Sequence, residues 1–415
     1  MRFRKALFWL HLLTGLSAGA VILVMAVTGV LLTFEPQLVE WAERDLWRAE
    51  PPALDAPRLP LVTLVARAQE RREGERATTV TARPDPRSSV RIGFGRDAVL
   101  FMNPYTGDVV GPGSRMHDVM HAIEDWHRWL GSRDVGRPVT GAANLAFLGL
   151  AISGLYLWWP RGWSRAAVRA IAVPGLRLRG RARDFNWHNA AGFWCAPVLI
   201  VLTLTGAVMS HQWANDLLYR LTGNEPPPPA TGGPSAARTA RREGERRRRG
   251  SEARPLDLDA LHARAARQVP GWVTLTLRLP QRPGAPVAVL IQEPPTWHPS
   301  PRSVLTLDAA TAELVRWEPF REANMGRTLR VLFRVLHTGE VGGVLGQLVA
   351  GLASAGGAVL VYTGVALAWR RYRAWTARGR RGAPTVDDTN AERVSALTPH
   401  ASQRRDSTVP SQPTP

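Results

Sequence analysis

The segment FNWHNAAGFWCAPVLIVLTLTGAVM (residues 185–209) decides the fold of this chain, because it contains no Asp, Glu, Lys or Arg. A helix rises about 1.5 Å per residue, so this segment is long enough to cross a hydrocarbon core of about 30 Å. We therefore predict a transmembrane helix over these residues. One histidine, His188, lies near the end at which the helix begins.

Three further apolar stretches have a similar length, at residues 6–34, 139–159 and 344–369. The sequence therefore predicts four transmembrane helices in all. The first stretch could instead be a cleaved signal peptide. Its apolar run, however, far exceeds the roughly 7–15 residues of a signal-peptide core and has no small-residue cleavage site. We expect it to remain as a helix.

Each of the four segments carries one histidine at a membrane end, and the four histidines form two pairs with matching internal spacing. The matching positions are Gly15, Thr28 and Gly29 after His11; Gly192, Thr205 and Gly206 after His188; Gly136, Gly141, Ser153 and Gly154 after His127; and Gly346, Gly351, Thr363 and Gly364 after His337. Equal spacing in the same chain order predicts a parallel internal duplication.

Basic residues predict the orientation of the helices. They precede the first span, crowd the short connection at 161–183 and follow the last span at 370–381. Because Lys and Arg in short loops stay on the cytoplasmic side, we expect both termini in the cytoplasm and both long loops outside, in a bacterial inner membrane. The arginine-rich run at 238–249 lies in a long loop, where charge has little orienting force.

The net charge of +19 over 415 residues raises the question of nucleic-acid binding. Much of the excess lies beside the spans, where basic residues orient helices and contact anionic lipid, so we predict contact with the lipid bilayer and no nucleic acid. The single cysteine, Cys195, lies in the third span. This excludes an intramolecular disulfide, a cysteine-ligated cluster and covalent haem attachment, so any haem is of the b type.

The two long loops share one order of elements. Each is predicted to contain a helix followed by short antiparallel strands, and the second loop begins with a proline- and arginine-rich linker that cannot bury a core. The predicted segments are helix 61–71 and strands 78–82, 90–94 and 99–102, with 108–110 after the turn, in the first loop, and linker 225–250, helix 258–268 and strands 273–279, 287–292, 303–308 and 313–317 in the second.

An ordered set of motifs runs along residues 3–375: Trp9-Leu-His11 with Thr28-Gly29; Asn103-Pro-Tyr-Thr-Gly107; Asp125-Trp-His-Arg128 leading to Gly154-Leu-Tyr-Leu-Trp-Trp-Pro160; Asn186-Trp-His188 with Thr205-Gly206; and Leu336-His-Thr-Gly339 leading to Thr363-Gly364. By these motifs the chain resembles the PepSY-associated transmembrane family of bacterial iron-uptake proteins, which includes ferric-siderophore reductases. The resemblance implies four membrane helices, two periplasmic PepSY modules and, in the reductases, two b-type haems. It does not explain the arginine-rich linker or the tail beyond 381.

We thus predict a membrane α+β fold, with a four-transmembrane-helix core from a parallel duplication and two periplasmic PepSY-like α/β modules. The predicted boundaries are 1–34 for the first transmembrane helix, 35–137 for module 1 with its amphipathic helix, 138–160 for the second transmembrane helix, 161–184 for a cytoplasmic basic loop, 185–211 for the third transmembrane helix, 212–343 for module 2 with its disordered linker, 344–370 for the fourth transmembrane helix and 371–415 for a disordered cytoplasmic tail.

The histidines are the candidate cofactor ligands. A coordinating side chain within a membrane span usually serves a site, although a single one more often makes a helix–helix hydrogen bond. Paired placement favours ligation: His11 and His188 share a depth near the cytoplasmic face, and His127 and His337 share one near the periplasmic face. We predict that each pair provides the axial ligands of one non-covalent haem b.

Other residues have less specific interpretations. Gly15 and Gly192 lie one turn after their histidines, so they provide either clearance for haem or close helix packing. The four Ser/Thr-Gly dipeptides are predicted to be packing positions. His211 is a substitute ligand should a periplasmic-side histidine fail. The pair His117 and His121 could bind a metal, but a solvated amphipathic helix is the favoured interpretation. The histidines without partner spacing are His262, His298 and His400.

The sequence favours an electron carrier that passes electrons from an unknown donor to a ferric siderophore or other ferric chelate in the periplasm. The enzyme class would be a ferric-chelate reductase. No P-loop, dinucleotide fingerprint or HExxH motif is present, so the donor is a quinol or a membrane or cytoplasmic reductase rather than a bound nucleotide. The alternatives are a non-catalytic membrane-anchored binding module and, more weakly, a component of an iron-chelate permease.

Overall fold

Four long helices and one large sheet make up the structure, a computed structural model that describes residues 2–53, 56–95, 98–159, 164–226, 256–282, 284–296 and 301–381. The helices are α1 (Arg2–Leu32), α2 (Glu35–Glu43), α3 (Leu61–Glu70), α4 (Arg115–Trp129), α5 (Arg133–Trp158), α6 (Arg165–Ala172), α7 (Gly180–Ser210), α8 (Gln212–Leu221), α9 (Leu258–Gln268), α10 (Met325–Thr338) and α11 (Gly343–Arg381). The strands are β1 (Ala77–Ala82), β2 (Val90–Phe94), β3 (Ala98–Met102), β4 (Val109–Pro112), β5 (Thr274–Arg278), β6 (Val287–Gln292), β7 (Arg302–Leu307) and β8 (Leu314–Glu318).

Helices α1, α5, α7 and α11 are each long and apolar enough to cross a membrane. Large apolar side chains on their outer surfaces remain exposed, among them Leu13 at 61% and Leu352 at 69%. An apolar surface of this extent is unfavourable in water and suits contact with lipid tails. The chain is therefore a multi-pass membrane protein.

Small residues allow these helices to pack closely. Helix α5 contacts both α1 and α7. On α11, Gly356 lies directly against the thiol of Cys195, and Gly357 lies against the ring of Phe147. A larger residue at position 356 would overlap the cysteine sulfur. Small residues at such contacts let helix backbones approach one another in lipid.

The eight strands form a single antiparallel sheet in the order β4-β3-β2-β1-β5-β6-β7-β8. The halves join through the pairing of β1 with β5, where Val80 lies opposite Leu277. Helices α3 and α9 cover one face of the sheet and bury a continuous core, which includes Leu64, Leu261 and Ile92. The other face is polar along the join, where the hydroxyls of Thr81 and Thr276 are 3.0 Å apart.

The predicted helices and strands lie within a few residues of the observed ones. Three differences concern the membrane helices: α5 begins at Arg133, before the predicted span, α7 begins at Gly180, inside the predicted basic loop, and α11 continues to Arg381. The predicted disordered tail was therefore wrong for residues 371–381, because the Arg- and Ala-rich sequence there favours a helix. The remainder of the predicted tail, and the linker except its first two residues, lie outside the described residues.

Candidate functional site

Two sharp helix corners place His127 and His337 in equivalent positions. His127 lies in the last turn of α4, which ends at Leu130 with a left-handed φ of 48°. His337 lies in the last turn of α10, which ends at Gly339 with a φ of 77°. Both corners are tight: the backbone at Gly136 lies against the carbonyl of Trp129, and that at Gly346 against the carbonyl of Gly339. The glycines nine residues after each histidine therefore make the corners possible.

The structure brings the four histidines together in the two predicted pairs. The ring centroids of His11 and His188 are 6.5 Å apart, with an interplanar angle of 86°. Those of His127 and His337 are 6.4 Å apart, at 60°. We call His11 and His188 the distal pair and His127 and His337 the proximal pair, since the latter is close to the sheet. Thr28 contacts His127 and lies on α1 about 25 Å along the helix from His11. The two pairs therefore lie near opposite ends of the membrane core.

Each histidine contacts a hydroxyl on a neighbouring helix through its Nδ1 atom. The contacts are His11 with Ser153 at 2.9 Å, His127 with Thr28 at 2.9 Å, His188 with Thr363 at 2.9 Å and His337 with Thr205 at 3.2 Å. The Ser and Thr hydroxyls themselves donate to carbonyls of their own helices, at 2.6–3.3 Å. They are thus left to accept a hydrogen bond from the imidazole.

This arrangement fixes the tautomer of the rings. The Nδ1 atom of His337 lies 2.9 Å from the carbonyl of Leu202, and a carbonyl can only accept, so Nδ1 carries the hydrogen. The same hydroxyl arrangement at the other three histidines indicates the same tautomer. Each ring therefore keeps Nε2 as its free lone pair, which is how the second nitrogen of a metal-binding histidine is usually held.

A glycine beside each hydroxyl makes room for the ring. A Cβ atom at Gly29, Gly154, Gly206 or Gly364 would lie 3.2–3.5 Å from the Cε1 atom of His127, His11, His337 or His188 respectively. The interpretation of the four Ser/Thr-Gly dipeptides as packing positions was therefore incomplete, because they also hold the histidines. Gly15 and Gly192 make only ordinary contacts with leucine side chains, at 3.8 and 3.7 Å. Both interpretations of these glycines, clearance for haem and close helix packing, therefore remain as predicted.

The proximal rings are held neutral. Burial and, to a smaller extent, the neighbouring His337 together lower the pKa of His127 to about 4. Burial also lowers the pKa of His337, although the hydrogen bond to Leu202 opposes this. A neutral imidazole is the form that binds a metal ion, because protonation would occupy the lone pair.

The spacing of the rings is suited to haem. An imidazole nitrogen lies about 2.0 Å from a metal ion that it binds, so two imidazoles on opposite sides of one ion have centroids about 6 Å apart. Haem takes only its axial ligands from the protein, as in other histidine-ligated haems. In the part of the chain that the structure describes, no group of three or more His, Cys, Asp or Glu could hold a metal ion. The ring spacing in each pair is therefore compatible with one haem held between its two histidines.

The comparison with known families agrees with this architecture. Residues 8–371 match the model of the PepSY-associated TM region. The chain belongs to this PepSY-TM family. A comparison with curated proteins found no match. The family match covers the four membrane helices, both halves of the sheet and both histidine pairs.

The remaining histidines of this PepSY-TM protein lie apart from the two pairs. His211 contacts the carbonyl of Gly141 at 3.2 Å, so the structure does not place it between the proximal rings. His117 and His121 stack at 4.7 Å, but His117 is only 9% exposed and faces Arg91 at 3.3 Å. The prediction of a solvated helix face was therefore wrong for His117. His262 packs against Trp272, and His298 and His400 lie outside the described residues.

Several charged side chains lie near Glu35 at the start of α2. They are Glu124, His121, Arg334 and Glu340. Burial raises the pKa of Glu35, and the nearby carboxylate of Glu124 raises it further. This group could not be predicted from the sequence, because its members come from four separate segments.

Proposed function

We propose that this PepSY-TM protein is a di-haem b electron-transfer protein of the bacterial inner membrane that reduces ferric siderophores or other ferric chelates in the periplasm. The observation that carries the proposal is the presence of two histidine pairs with ring centroids 6.4–6.5 Å apart, each ring held through Nδ1 so that Nε2 keeps its lone pair. A structural role for the histidines would require neither the paired rings nor the same hydroxyl and glycine support at all four positions.

In this proposal, His11 and His188 hold one haem and His127 and His337 hold the other. Haem bound by two imidazoles supplies one-electron exchange between Fe²⁺ and Fe³⁺. The chain's own residues set the geometry: the hydroxyls orient the rings, and the glycines leave space for them. The apolar helices around the distal pair exclude water from the path between the membrane faces.

The topology that we propose follows the basic residues. Both termini and the 161–184 loop are cytoplasmic, and the halves of the sheet are two periplasmic PepSY-like modules related by duplication. The matched helix corners and the shared order of one helix and four strands in each half support this assignment. The proximal pair then lies on the periplasmic side, and the distal pair on the cytoplasmic side.

The substrate would be the iron of a ferric chelate. Each ferric ion takes one electron and becomes Fe²⁺, which oxygen-donor chelators bind far more weakly, so the metal is released. The electron comes from a donor on the cytoplasmic side or in the membrane, either a quinol or a reductase protein, which is oxidised in turn. Such a protein would be a reductase-type oxidoreductase without a nucleophile or general base of its own.

Absorbance spectra of the purified full-length protein, oxidised and dithionite-reduced, test the cofactor, and pyridine haemochrome analysis gives its amount. We expect two haems per chain. We also expect the reduced protein to be reoxidised by a ferric siderophore, with Fe²⁺ captured by a chromogenic chelator. A protein without haem would overturn the proposal and favour a membrane-anchored binding module.

A further inference from the structure

A buried histidine joins helix α4 to the sheet in the first half of the chain. His117 lies in the first turn of α4, and its Nε2 atom lies 3.3 Å from Nη2 of Arg91 on β2. The same turn contacts α2, because Glu43 accepts from the backbone N–H and the hydroxyl of Ser114, the N-cap residue, at 3.4 and 3.5 Å. This cluster therefore connects α4, whose last turn carries His127, to both the sheet and α2.

Only one nitrogen of His117 can take up a further proton. Arginine has no acceptor atom, so Arg91 donates to Nε2, and the hydrogen of the neutral ring is on Nδ1. The Nδ1 atom is buried and makes no hydrogen bond to any residue that the structure describes. Protonation therefore places a new donor on Nε2, directly opposite the donor of Arg91. A hydrogen bond would become a contact between two cations.

The charged groups around His117 do not offset this change. On α4 itself, Asp118 lies 3.7 Å from Nδ1 but its side chain is 66% exposed, and His121 stacks on the ring. On α2, Glu43 is a buried carboxylate whose charge favours the charged form of Arg91. A proton on His117 therefore adds a positive charge to a buried cluster in which the charges already balance. Burial is the largest cause of the lowered pKa of His117; Arg91 and His121 lower it further, and the two carboxylates oppose this.

The second half of the chain has a permanently charged residue at the equivalent position. His117 and Arg327 each lie ten residues before a proximal histidine. The N-cap residue of each helix accepts from their backbone N–H: Ser114 on α4 at 3.2 Å and Asn324 on α10 at 2.8 Å. The partner of Arg327, however, is the carboxylate of Glu318 on β8, at 4.0 Å, so this contact is attractive wherever the carboxylate is ionised. Mild acid is therefore expected to act on α4 and to spare α10.

We propose that His117 is a pH-operated release between the sheet and helix α4, which frees the first turn of α4 in acid and so loosens the hold on His127. The release itself does not depend on haem. Its effect on a bound haem rests on the proposed function, in which His127 is a ligand of the proximal haem. In the topology proposed above, acid on the periplasmic side would then weaken the proximal centre while the distal centre keeps its contacts.

Hydrogen–deuterium exchange of the full chain in detergent tests the release. Exchange is compared at about pH 7.5 and about pH 5, on either side of the usual histidine pKa of about 6.5, after correction for the intrinsic pH dependence. Peptides from α10 are the internal reference. Each unit by which folding lowers the pKa of His117 raises the opening of α4 about tenfold once the ring is protonated. We therefore expect exchange in α4 to rise about tenfold relative to α10, and equal changes in the two helices would overturn the proposal.

Variants separate the proton on His117 from other effects of acid. Glutamine can accept from Arg91 but cannot be protonated, so His117→Gln should remove the pH difference in α4. His117→Arg places a permanent charge beside Arg91, so α4 should exchange faster than in the wild type at both pH values. His262→Gln is the matched control, because burial also lowers the pKa of His262, whose ring lies against Trp272 in the other half of the chain. Retention of the full pH difference in His117→Gln, or its loss in His262→Gln, would refute the assignment.

A haemin titration at the same two pH values separates this proposal from the proposed function. Acid should weaken the proximal haem more in the wild type than in His117→Gln, and equal weakening in the two proteins would refute the link to His127. If the purified chain binds no haem but α4 responds to pH through His117, the release stands and the proposed reductase function falls. If both haems are present and α4 does not respond, the reductase function stands and the release falls.

Discussion

The hydroxyl that holds His11 offers the most direct test of the histidine geometry. Ser153→Ala removes only the oxygen that accepts from Nδ1 at 2.9 Å. A buried donor left without a partner costs about 1–3 kcal/mol, which corresponds to a loss of affinity of about 5- to 140-fold. Loss of a partner one step removed from the metal has effects of about 10- to 100-fold in other sites. We therefore expect Ser153→Ala to weaken the distal haem by about that factor.

His337 gives a graded comparison, because its Nδ1 also lies 2.9 Å from the carbonyl of Leu202. Thr205→Val removes the hydroxyl but leaves this second acceptor in place, so the expected cost is below about 1 kcal/mol. The proximal haem should then weaken by less than about fivefold. Ser153→Thr is the control for the distal site, since the other half of the chain uses threonine at the equivalent position, Thr363.

The assay is a haemin titration of the haem-free protein, with the two sites separated by their redox transitions. The expected order is a large loss for Ser153→Ala, a small loss for Thr205→Val and none for Ser153→Thr. If Ser153→Ala retains its distal haem as the wild type does, or if Thr205→Val loses as much as Ser153→Ala, the hydroxyls do not orient the rings and the reasoning is wrong.

Three other predictions concern separate features. Alanine at either histidine of one pair should abolish the same redox transition and leave the other intact; a shared loss across pairs in potentiometric titration would contradict this. Gly206→Ala places a Cβ atom 3.2 Å from the ring of His337, so overpacking of about 1–3 kcal/mol should reduce proximal haem content, whereas Gly192→Ala should not. Burial, Arg91 and His121 lower the pKa of His117, so the folded state binds fewer protons than the unfolded one, and thermal stability should fall as pH drops below about 6.5. His117→Gln should flatten that dependence, and an unchanged slope would contradict the burial argument.

The sequence predicted which histidines meet, because equal spacing after His11 and His188, and after His127 and His337, predicted equal depth for the members of each pair. It could not predict what holds them. His11 and Ser153 are separated by 142 positions and lie on different helices, and only the packing of those helices shows that a hydroxyl faces a ring. From the local sequence alone, the Ser/Thr-Gly dipeptides that hold the histidines could not be distinguished from an ordinary helix-packing motif.

The sheet shows the same limit of sequence-based prediction, which is that contacts between distant segments cannot be predicted. Turn residues and alternating patterns predicted both sets of strands, but not their union into one sheet. The hydroxyls of Thr81 and Thr276, which meet at the join, are 195 positions apart, with two membrane helices and residues 227–255 between them. Strand alternation identifies a buried face and says nothing about which distant edge strand will complete the ladder.

The distribution of the two pairs along the chain has a consequence for biogenesis. Each pair takes one histidine from before residue 160 and one from after it, and His188 is held by Thr363 on the last long helix. A chain that has released only its first three membrane helices therefore contains His11 and His188 but lacks both His337 and Thr363. The proximal pair is complete only after α10 has been synthesised, and the hydroxyl that holds His188 is present only after α11, so a chain that ends before α10 would lack the proximal pair and would leave His188 without its hydroxyl partner.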